Sequence, residues 1–392
     1  MNGLKAENEE RYLLTGATGF LGSHIMAGLL SKRRRLVVFG RPEGNELLHE
    51  RILKRLNWFG ITHFESLLEC YETDFLKPGL GLEKPDYDNF CSRGLNIIHC
   101  ASDTSFGAKN REKVMESNVE NLIEILNFAQ QSRAASFHFI STAFVAGSDP
   151  IECPEAPVNS THFNNVYEES KAWAEKIVSE RCREVNIPYT IIRPSIVYGD
   201  SITGRSLKFN ALYYPVRFLY HIRDIYLDDI NKNGIKSEEC GIFINDAGML
   251  HLPIRIFIPS AGKINLIPVN YFVETFLSII QKPITETFYH ITSNKPESTA
   301  TLIEYTARFL NITGLEVVIG SSVADKMRNP PEELFDHFIR VYLPYLSDKR
   351  VFIRQNTDWA ACSDLPPDFS YEIFQRCMTF AVSVDWGRRL FT

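Results

Sequence analysis

The chain has 392 residues, 44% of them hydrophobic and 23% charged, with 42 Lys plus Arg against 48 Asp plus Glu for a formal charge of −6. That length allows a bilobal enzyme or two small domains around a substantial core, and the balance of charge excludes the basic surface of a nucleic-acid or anionic-membrane binder. No run reaches the ~18 apolar residues of a membrane helix, and the acidic segment Met1 to Glu10 lacks the apolar core of a secretory signal, so a cytoplasmic location is expected. The eight cysteines (Cys70, Cys91, Cys100, Cys153, Cys182, Cys240, Cys362, Cys377) contain no C-x-x-C pair, which argues against zinc and against a disulfide framework. They read as reduced and mostly structural, and no metal site is expected.

Tyr12-Leu13-Leu14 reads as a first strand. It runs into Thr15-Gly16-Ala17-Thr18-Gly19-Phe20-Leu21-Gly22 and then into a helix-compatible run from Ser23 to Leu30. Glycines let the backbone turn tightly and approach a pyrophosphate, whose charge meets the N–H groups of the helix start. The second strand, Leu36 to Phe39, ends in Gly40-Arg41 and not in the Asp or Glu that would hold the ribose hydroxyls of NAD. Arg41 offers a guanidinium fork to a 2′-phosphate, which favours NADPH/NADP+. The run Lys32-Arg33-Arg34-Arg35 either adds positive potential there or is a set of cations at a helix C-terminus.

Further strands read at Ile97 to His99, Phe137 to Ile140 and Tyr189 to Ile192, with the periodic stretch Val119-x-x-Leu122-Ile123-x-x-Leu126 between them. The pattern predicts an α/β fold, a doubly wound parallel Rossmann sheet with a smaller, interleaved C-terminal substrate lobe. Asn265 to Val269 reads as a strand leading into a helix through Ile280, and Leu302 to Leu310 as a later helix. The expected NADP(H)-binding domain is 1–204 with 263–283, and the substrate-binding lobe is 205–262 with 284–392. The aromatic run Tyr213 to Tyr220 is either core or the lining of an acyl pocket.

Tyr167 and Lys171 lie four residues apart on one face of a predicted helix. A phenol titrates near ~10, and a neighbouring Lys⁺ is expected to lower that value and make Tyr167 a usable proton donor. At the end of the strand before them, Ser141-Thr142 sets hydroxyls at the carboxyl edge of the sheet, where Thr142 could hydrogen-bond a substrate carbonyl beside Tyr167. Arg193-Pro194-Ser195-Ile196-Val197 follows the next strand at the same edge, with Pro194, Ser195 and Val197 placed to pack on a nicotinamide.

The ordered set resembles the extended short-chain dehydrogenase family from residue 11 to about residue 315. The pieces are the glycine loop, Glu72-Thr73-Asp74-Phe75-Leu76, His99-Cys100-Ala101-Ser102, Ser117-Asn118-Val119, Ser141-Thr142, Tyr167 with Lys171, Arg193-Pro194 and Leu266-Ile267-Pro268-Val269. The resemblance implies that Asp74 contacts the adenine, that Ala101 and Ser102 lie along the cofactor, that Phe75 and Asn118 complete the cofactor set, and that Lys171 also holds the nicotinamide ribose. Lys77-Pro78-Gly79-Leu80-Gly81-Leu82 and Gly199-Asp200-Ser201-Ile202-Thr203-Gly204 are similar to the thioester-reductase and fatty-acyl-CoA-reductase branch. Ser102-Asp103 and Asn270 depart from the Ala and Asp of that branch. The branch implies NADPH-dependent reduction of a carrier-protein- or CoA-bound acyl thioester to an aldehyde, and on to an alcohol if a second hydride follows. The partner so implied is an acyl or peptidyl carrier protein with a phosphopantetheine arm, whose phosphate Arg205, Lys208 and Arg217 could meet. A carbonyl reductase or sugar-nucleotide epimerase, and a non-catalytic NADPH sensor, are the alternatives on the same scaffold.

Overall fold

The computed structural model describes residues 10–148, 151–320, 328–361 and 365–391; the acidic segment 1–9 and Cys362 lie outside these. By contacts the chain divides into two units. Unit one comprises Met1–Ser195, Val269–Thr292 and Val351–Asp364, and unit two Ile196–Pro268, Ser293–Arg350 and Leu365–Thr392.

Unit one is built on short apolar strands, because a parallel sheet is covered on both faces and needs no polar alternation. They are β1 (Arg11–Thr15), β2 (Arg35–Gly40), β3 (Leu68–Glu72), β4 (Asn96–His99), β5 (Ser136–Ile140) and β6 (Tyr189–Ile192). With the short strand Phe288–Tyr289 they form one sheet in the order Phe288–Tyr289, β6, β5, β4, β1, β2, β3, every pair parallel. The helices that matter below are α1 (Phe20–Ser31), α2 (Leu48–Phe59), α3 (Asn121–Gln131) and α4 (Val166–Glu184). Leu13, Phe39, Ile97, Phe137, Ile125 and Val178 belong to one buried cluster on a face of the sheet. The strand order reverses between β1 and β4, and the crevice outside the carboxyl ends of strands at such a point is where open α/β sheets bind ligands.

Two members of this sheet were not expected. β3 is the edge strand, and its half-exposed Leu68-Glu69-Cys70-Tyr71-Glu72 lacks the continuous apolar run of the central strands. Phe288–Tyr289 has only two residues, yet it pairs with Ile191 and Ile192 of β6 and so brings 269–292 into unit one. The contact boundary falls at 195/196, earlier than the expected 204/205, because Ile196–Tyr198 pairs in parallel with Leu266–Pro268 and carries both segments into unit two.

Unit two has its own sheet, in which Leu250–Ile258 pairs in parallel with Ile312–Ile319 and is flanked by the short antiparallel strand Phe243–Ile244. Pro253 cannot donate to a ladder, and it sits where the register shifts between His251 and Ile254, a bulge that tolerates it. Tyr213–Asn231 forms a 19-residue helix with Tyr213, Val216, Leu219 and Ile222 buried. Two apolar clusters fill this unit, one containing Val216, Leu266 and Phe374 and the other Leu219, Ile256 and Phe335. A cavity of about 80 Å³ lies where they meet, lined by residues of both.

Among the described residues no helix is long and apolar enough to cross a membrane, and no group of His, Cys, Asp or Glu is placed to hold a metal ion. The described cysteines are all free thiols.

Candidate active site

The glycine loop joins β1 to α1. Gly16 sits at φ 74°, where only glycine is at ease, and a Cβ there would lie 2.6 Å from the Ala101 nitrogen at the end of β4. A Cβ on Gly22 would lie 2.1 Å from the Gly16 carbonyl oxygen. Gly19 is the N-cap of α1; no side chain caps that end and no acidic residue stands in its first turn. Exposed N–H groups without a side-chain partner, at a helix start whose dipole favours anions, are a donor set suited to pyrophosphate. Ser195 adds a buried hydroxyl with no partner at the carboxyl edge of β6. The residues present therefore fit a dinucleotide. Gly22→Ala is expected to push the loop aside and weaken NADPH binding by at least ~10-fold, about 1.4 kcal/mol; fluorescence titration giving the wild-type Kd would remove the loop from the phosphate site.

Thr15 locks the loop to β4. Its Oγ1 accepts from the backbone N–H of Cys100 and of Ala101, both at 3.2 Å, which leaves its proton for His99 Nδ1 at 3.0 Å. His99 is stacked on Phe139, and burial together with the nearby Lys171 charge drives its pKa down to about 3, so the ring is neutral.

Arg41 is exposed directly after β2. The parallel register pairs Thr15 with Phe39 at one end and Arg11 with Arg35 at the other. Lys32 to Arg35 thus stands at the far edge of the sheet from the glycine loop, about 20 Å away along a six-residue strand at ~3.3 Å per residue. It is the turn between α1 and β2, with Arg34 paired to Glu10, and adds nothing at the ribose. Two arginines of α2 stand near in its place. Arg51 donates to the Arg41 carbonyl at 2.9 Å and pairs with Glu43, while Arg55 donates to the Thr18 carbonyl of the loop at 3.1 Å. In the sequence they look like solvated cations of an amphipathic helix, and only their spacing from Arg41 sets them apart. Asp74, half exposed, accepts from the Leu76 N–H and pairs with Lys77, and Phe75 packs on the main core cluster.

At the carboxyl end of β5 the side chains of Thr142 and Tyr167 hydrogen-bond to each other. Thr142 is buried, and Tyr167 stacks on Phe106 with centroids 6.1 Å apart. Lys171 is buried, donates to the Ile140 carbonyl at 2.8 Å and lies 4.6 Å from the centre of the Phe139 ring. The expectation that Lys171 lowers the Tyr167 pKa is not met. Burial, with Cys100 and Glu168 adding to it, raises the phenol above its ordinary 10 and outweighs the lowering by Thr142. The phenol is consequently protonated at neutral pH, the form a proton donor needs.

Burial pulls the Lys171 ammonium from its ordinary 10.5 to about 8, against the opposing influence of Cys100 and Glu175. Between those values the unfolded chain holds a proton that the folded chain has lost, so this residue's contribution to stability rises with pH across that window. Urea midpoints of the nucleotide-free protein should show wild type gaining on Lys171→Met between about pH 8 and pH 10.5. A difference that does not change with pH would mean that the ammonium is not desolvated.

Asn118 uses its whole hydrogen-bonding capacity. Its Oδ1 accepts from Ser102 Oγ (3.0 Å) and Asp103 N (2.7 Å), and its Nδ2 donates to the Asp103 carbonyl and Ser170 Oγ, both at 2.9 Å. It thereby ties the loop after β4 to α4, and it projects from a π-helical turn, Glu116–Glu120, of the kind found at functional sites. Beneath the site, Glu175 on α4 accepts from Arg193 in a two-pronged pair (2.9 and 2.7 Å) and from Ser141 Oγ at 2.5 Å. The other face of Arg193 meets His290 Nε2 at 3.2 Å. Pro194 is buried, and its carbonyl accepts from Ala143 N at 2.9 Å. Val197 belongs to unit two, paired with Ile267. Glu175 and His290 were not foreseen, since one is a polar residue of a charged helix and the other follows a two-residue strand.

Comparison with known proteins places these features in a family. The family model described as male sterility protein, a NAD-binding domain, matches residues 14–275, more than half of the chain. Fusarin C synthetase of Gibberella fujikuroi is 30% identical over 217 residues, covering 54% of this chain and 5% of that protein. The L-2-aminoadipate reductase large subunit of Penicillium chrysogenum is 26% identical over 218 residues, covering 50% and 15%. The chain thus spans only a small part of the curated relatives it matches. Among solved structures, the terminal R domain from the myxalamid PKS-NRPS biosynthetic pathway superposes with a TM-score of 0.74 at 21% identity, covering 97% of this chain and 92% of that one. UDP-glucose 4-epimerase of Thermotoga maritima gives 0.60 at 13% identity, covering 95% and 99%. The chain shares the fold of these structures, and by the family match it belongs to the male sterility protein family of NAD-binding domains.

Proposed function

We propose that this chain reduces an acyl thioester to an aldehyde with NADPH, acting in the cytoplasm on an acyl group carried by coenzyme A or by the phosphopantetheine arm of a carrier protein. The observation that carries the reading is the hydrogen-bonded pair Thr142 and Tyr167 beside buried Lys171, at the carboxyl edge where the glycine loop also opens. Bound NADPH supplies the hydride. The glycine loop, Arg41 and Ser195 would hold the dinucleotide, while Asp74 and Phe75 would face its adenine and Ala101 and Ser102 its length.

The Thr142–Tyr167 pair keeps one hydroxyl proton between its own oxygens and offers the other to a thioester carbonyl oxygen as that oxygen gains negative charge. As the carbonyl carbon accepts hydride, the Tyr167 phenol protonates its oxygen. As the C–S bond breaks, the hydroxyl proton of that adduct passes to sulfur, releasing the thiol and leaving the aldehyde; a second NADPH, with a second proton, would take the aldehyde to the alcohol. Unit one is assigned to the cofactor and unit two to the substrate, with Arg205, Lys208 and Arg217 of unit two supplying positive charge for the arm's phosphate.

NADPH oxidation followed with butanoyl-CoA, a butanoyl carrier protein and free butanal tests the reading. Turnover of either thioester with release of thiol supports it; oxidation with the free aldehyde alone sinks the thioester step. Arg41→Ala should weaken NADPH binding about 10-fold and leave NADH within about twofold. Equal losses for both nucleotides would take Arg41 off the 2′-phosphate. A sugar-nucleotide epimerase would retain NAD, and the nucleotide released on denaturing the purified protein identifies that case.

A further inference from the structure

Residues 351–361 are encoded far from the rest of unit one yet are sewn into it. The short strand Val351–Phe352 pairs in parallel with Glu152–Cys153. At the start of the helix Gln355–Ala361 the Glu155 carboxylate accepts from Asn356 N at 2.5 Å and from Thr357 N and Oγ1 at 3.2 and 2.6 Å. His290 adds a third tie. Its Nδ1 lies 2.8 Å from the Ile353 carbonyl, which can only accept, so Nδ1 carries the ring proton and Nε2 receives one from Arg193 at 3.2 Å. Burial keeps this ring neutral, with its pKa down at about 3.

The side chain held by these ties is Phe352. Its buried ring meets His290 edge-on with centroids 5.8 Å apart, and meets Phe144 edge-on at the same separation. Phe144 is buried in the turn Ala143–Ala146, whose N-cap is Thr142, and its backbone N–H donates to Thr142 Oγ1 at 3.4 Å. That length is at the outer limit of a hydrogen bond, so a small shift of Phe144 makes or breaks it. While it holds, one lone pair of Thr142 is occupied and the hydroxyl proton is left for Tyr167, which frees the phenol proton for a substrate. Donors and acceptors in such a chain polarise one another. Resting on the reductase reading above, we propose that Phe352 is a positioning residue for the reduction: by seating Phe144 it keeps that N–H on Thr142 and so fixes which proton the Thr142–Tyr167 pair presents to the carbonyl oxygen.

Phe352→Leu removes the ring edge and keeps an apolar side chain. It should lower kcat for butanoyl-CoA about tenfold, with KM for the thioester and for NADPH within about twofold, since a misplaced donor costs rate rather than affinity. Phe352→Met, a flexible filler, gives the same comparison if the leucine protein does not fold. Val351→Ala, exposed on the same strand, should leave both constants within about twofold. The discriminating measurement repeats Phe352→Leu in a Thr142→Val background. Single-turnover rates should there fall by less than about twofold more, because the hydroxyl through which Phe352 acts is gone. A full tenfold loss in that background, no loss with Thr142 present, a raised KM at unchanged kcat, or an equal loss in Val351→Ala overturns the proposal. Hydrogen exchange of the Phe144 amide in the nucleotide-free protein reads the contact without turnover and should quicken about tenfold in Phe352→Leu. If no thioester supports NADPH oxidation, the reductase reading fails and the exchange rate alone decides: quickened exchange keeps Phe352 as the seat of the Thr142 turn, and an unchanged rate removes it.

Discussion

Replacing Tyr167 by Phe is expected to lower thioester-dependent NADPH oxidation by about 10²- to 10⁴-fold, the usual contribution of a positioned general acid, with NADPH affinity unchanged. The change deletes a single oxygen. That oxygen hydrogen-bonds Thr142, and burial raises its pKa above 10, so it carries a proton throughout the neutral range. The ring keeps its contact with Phe106, and α4 keeps its N-cap, in which Asn165 accepts from the Glu168 N–H at 3.0 Å. Stability should change little, since the phenol is bonded to Thr142 rather than to the frame of the fold. Single-turnover rates measured beside NADPH fluorescence titration separate the outcomes. A Tyr167→Phe protein with wild-type turnover would remove the phenol from the chemistry.

The second large effect lies beneath the site. Arg193→Ala is expected to destabilise the protein by about 3–5 kcal/mol, the cost of leaving one partner of a buried ion pair without the other. Both side chains are almost fully buried, at 1% and 5% exposure, so solvent does not screen the loss. A domain stable by ~5–15 kcal/mol would lose a large share of its margin. Glu175 also accepts from Ser141, the neighbour of Thr142, and stands one turn beyond Lys171 on α4. Arg193→Ala should therefore lower kcat as well as the urea midpoint. Pairing it with Glu175→Leu, so that neither charge is left alone, should recover part of the stability. If the single variant unfolds at the wild-type midpoint, the pair has no structural role.

What the sequence made legible follows from which forces are local. The central strands of unit one are continuous apolar runs because both faces are covered, and β1, β2, β4, β5 and β6 all lie within a residue of their expected bounds. Thr15, Gly16 and Gly22 could be placed because they share one strand-to-helix turn, whereas Thr142 and Tyr167, far apart in the chain, were read together only from the carboxyl edge of the sheet. Unit two was harder to read. The strand Leu250–Ile258 is interrupted by Pro253, and its partner Ile312–Ile319 lies some sixty residues further along the chain, so no local pattern announces the pairing. The electrostatics were least legible. Four residues of spacing suggested that Lys171 would acidify Tyr167, but spacing carries no information about burial, and desolvation reverses the sign for the phenol. Arg51, Arg55 and Glu175 escaped notice for a related reason: a charged residue on a helix looks solvated until its partner is known; His290 follows a two-residue strand that no local pattern marks.

The make-up of unit one from three stretches of chain has a consequence for biosynthesis. When the ribosome has delivered residues 1–195, six of the seven strands exist but the edge of β6 is bare, because Phe288–Tyr289 has not yet been made. A bare parallel edge is a template for pairing with other chains. Glu155, which accepts from the N–H groups of His290, Asn356 and Thr357, likewise waits for partners up to 202 positions downstream. Nascent chains should therefore keep an adhesive edge until translation passes residue 289, and a fragment ending near 195 should be insoluble even though it carries the glycine loop, Thr142, Tyr167 and Lys171.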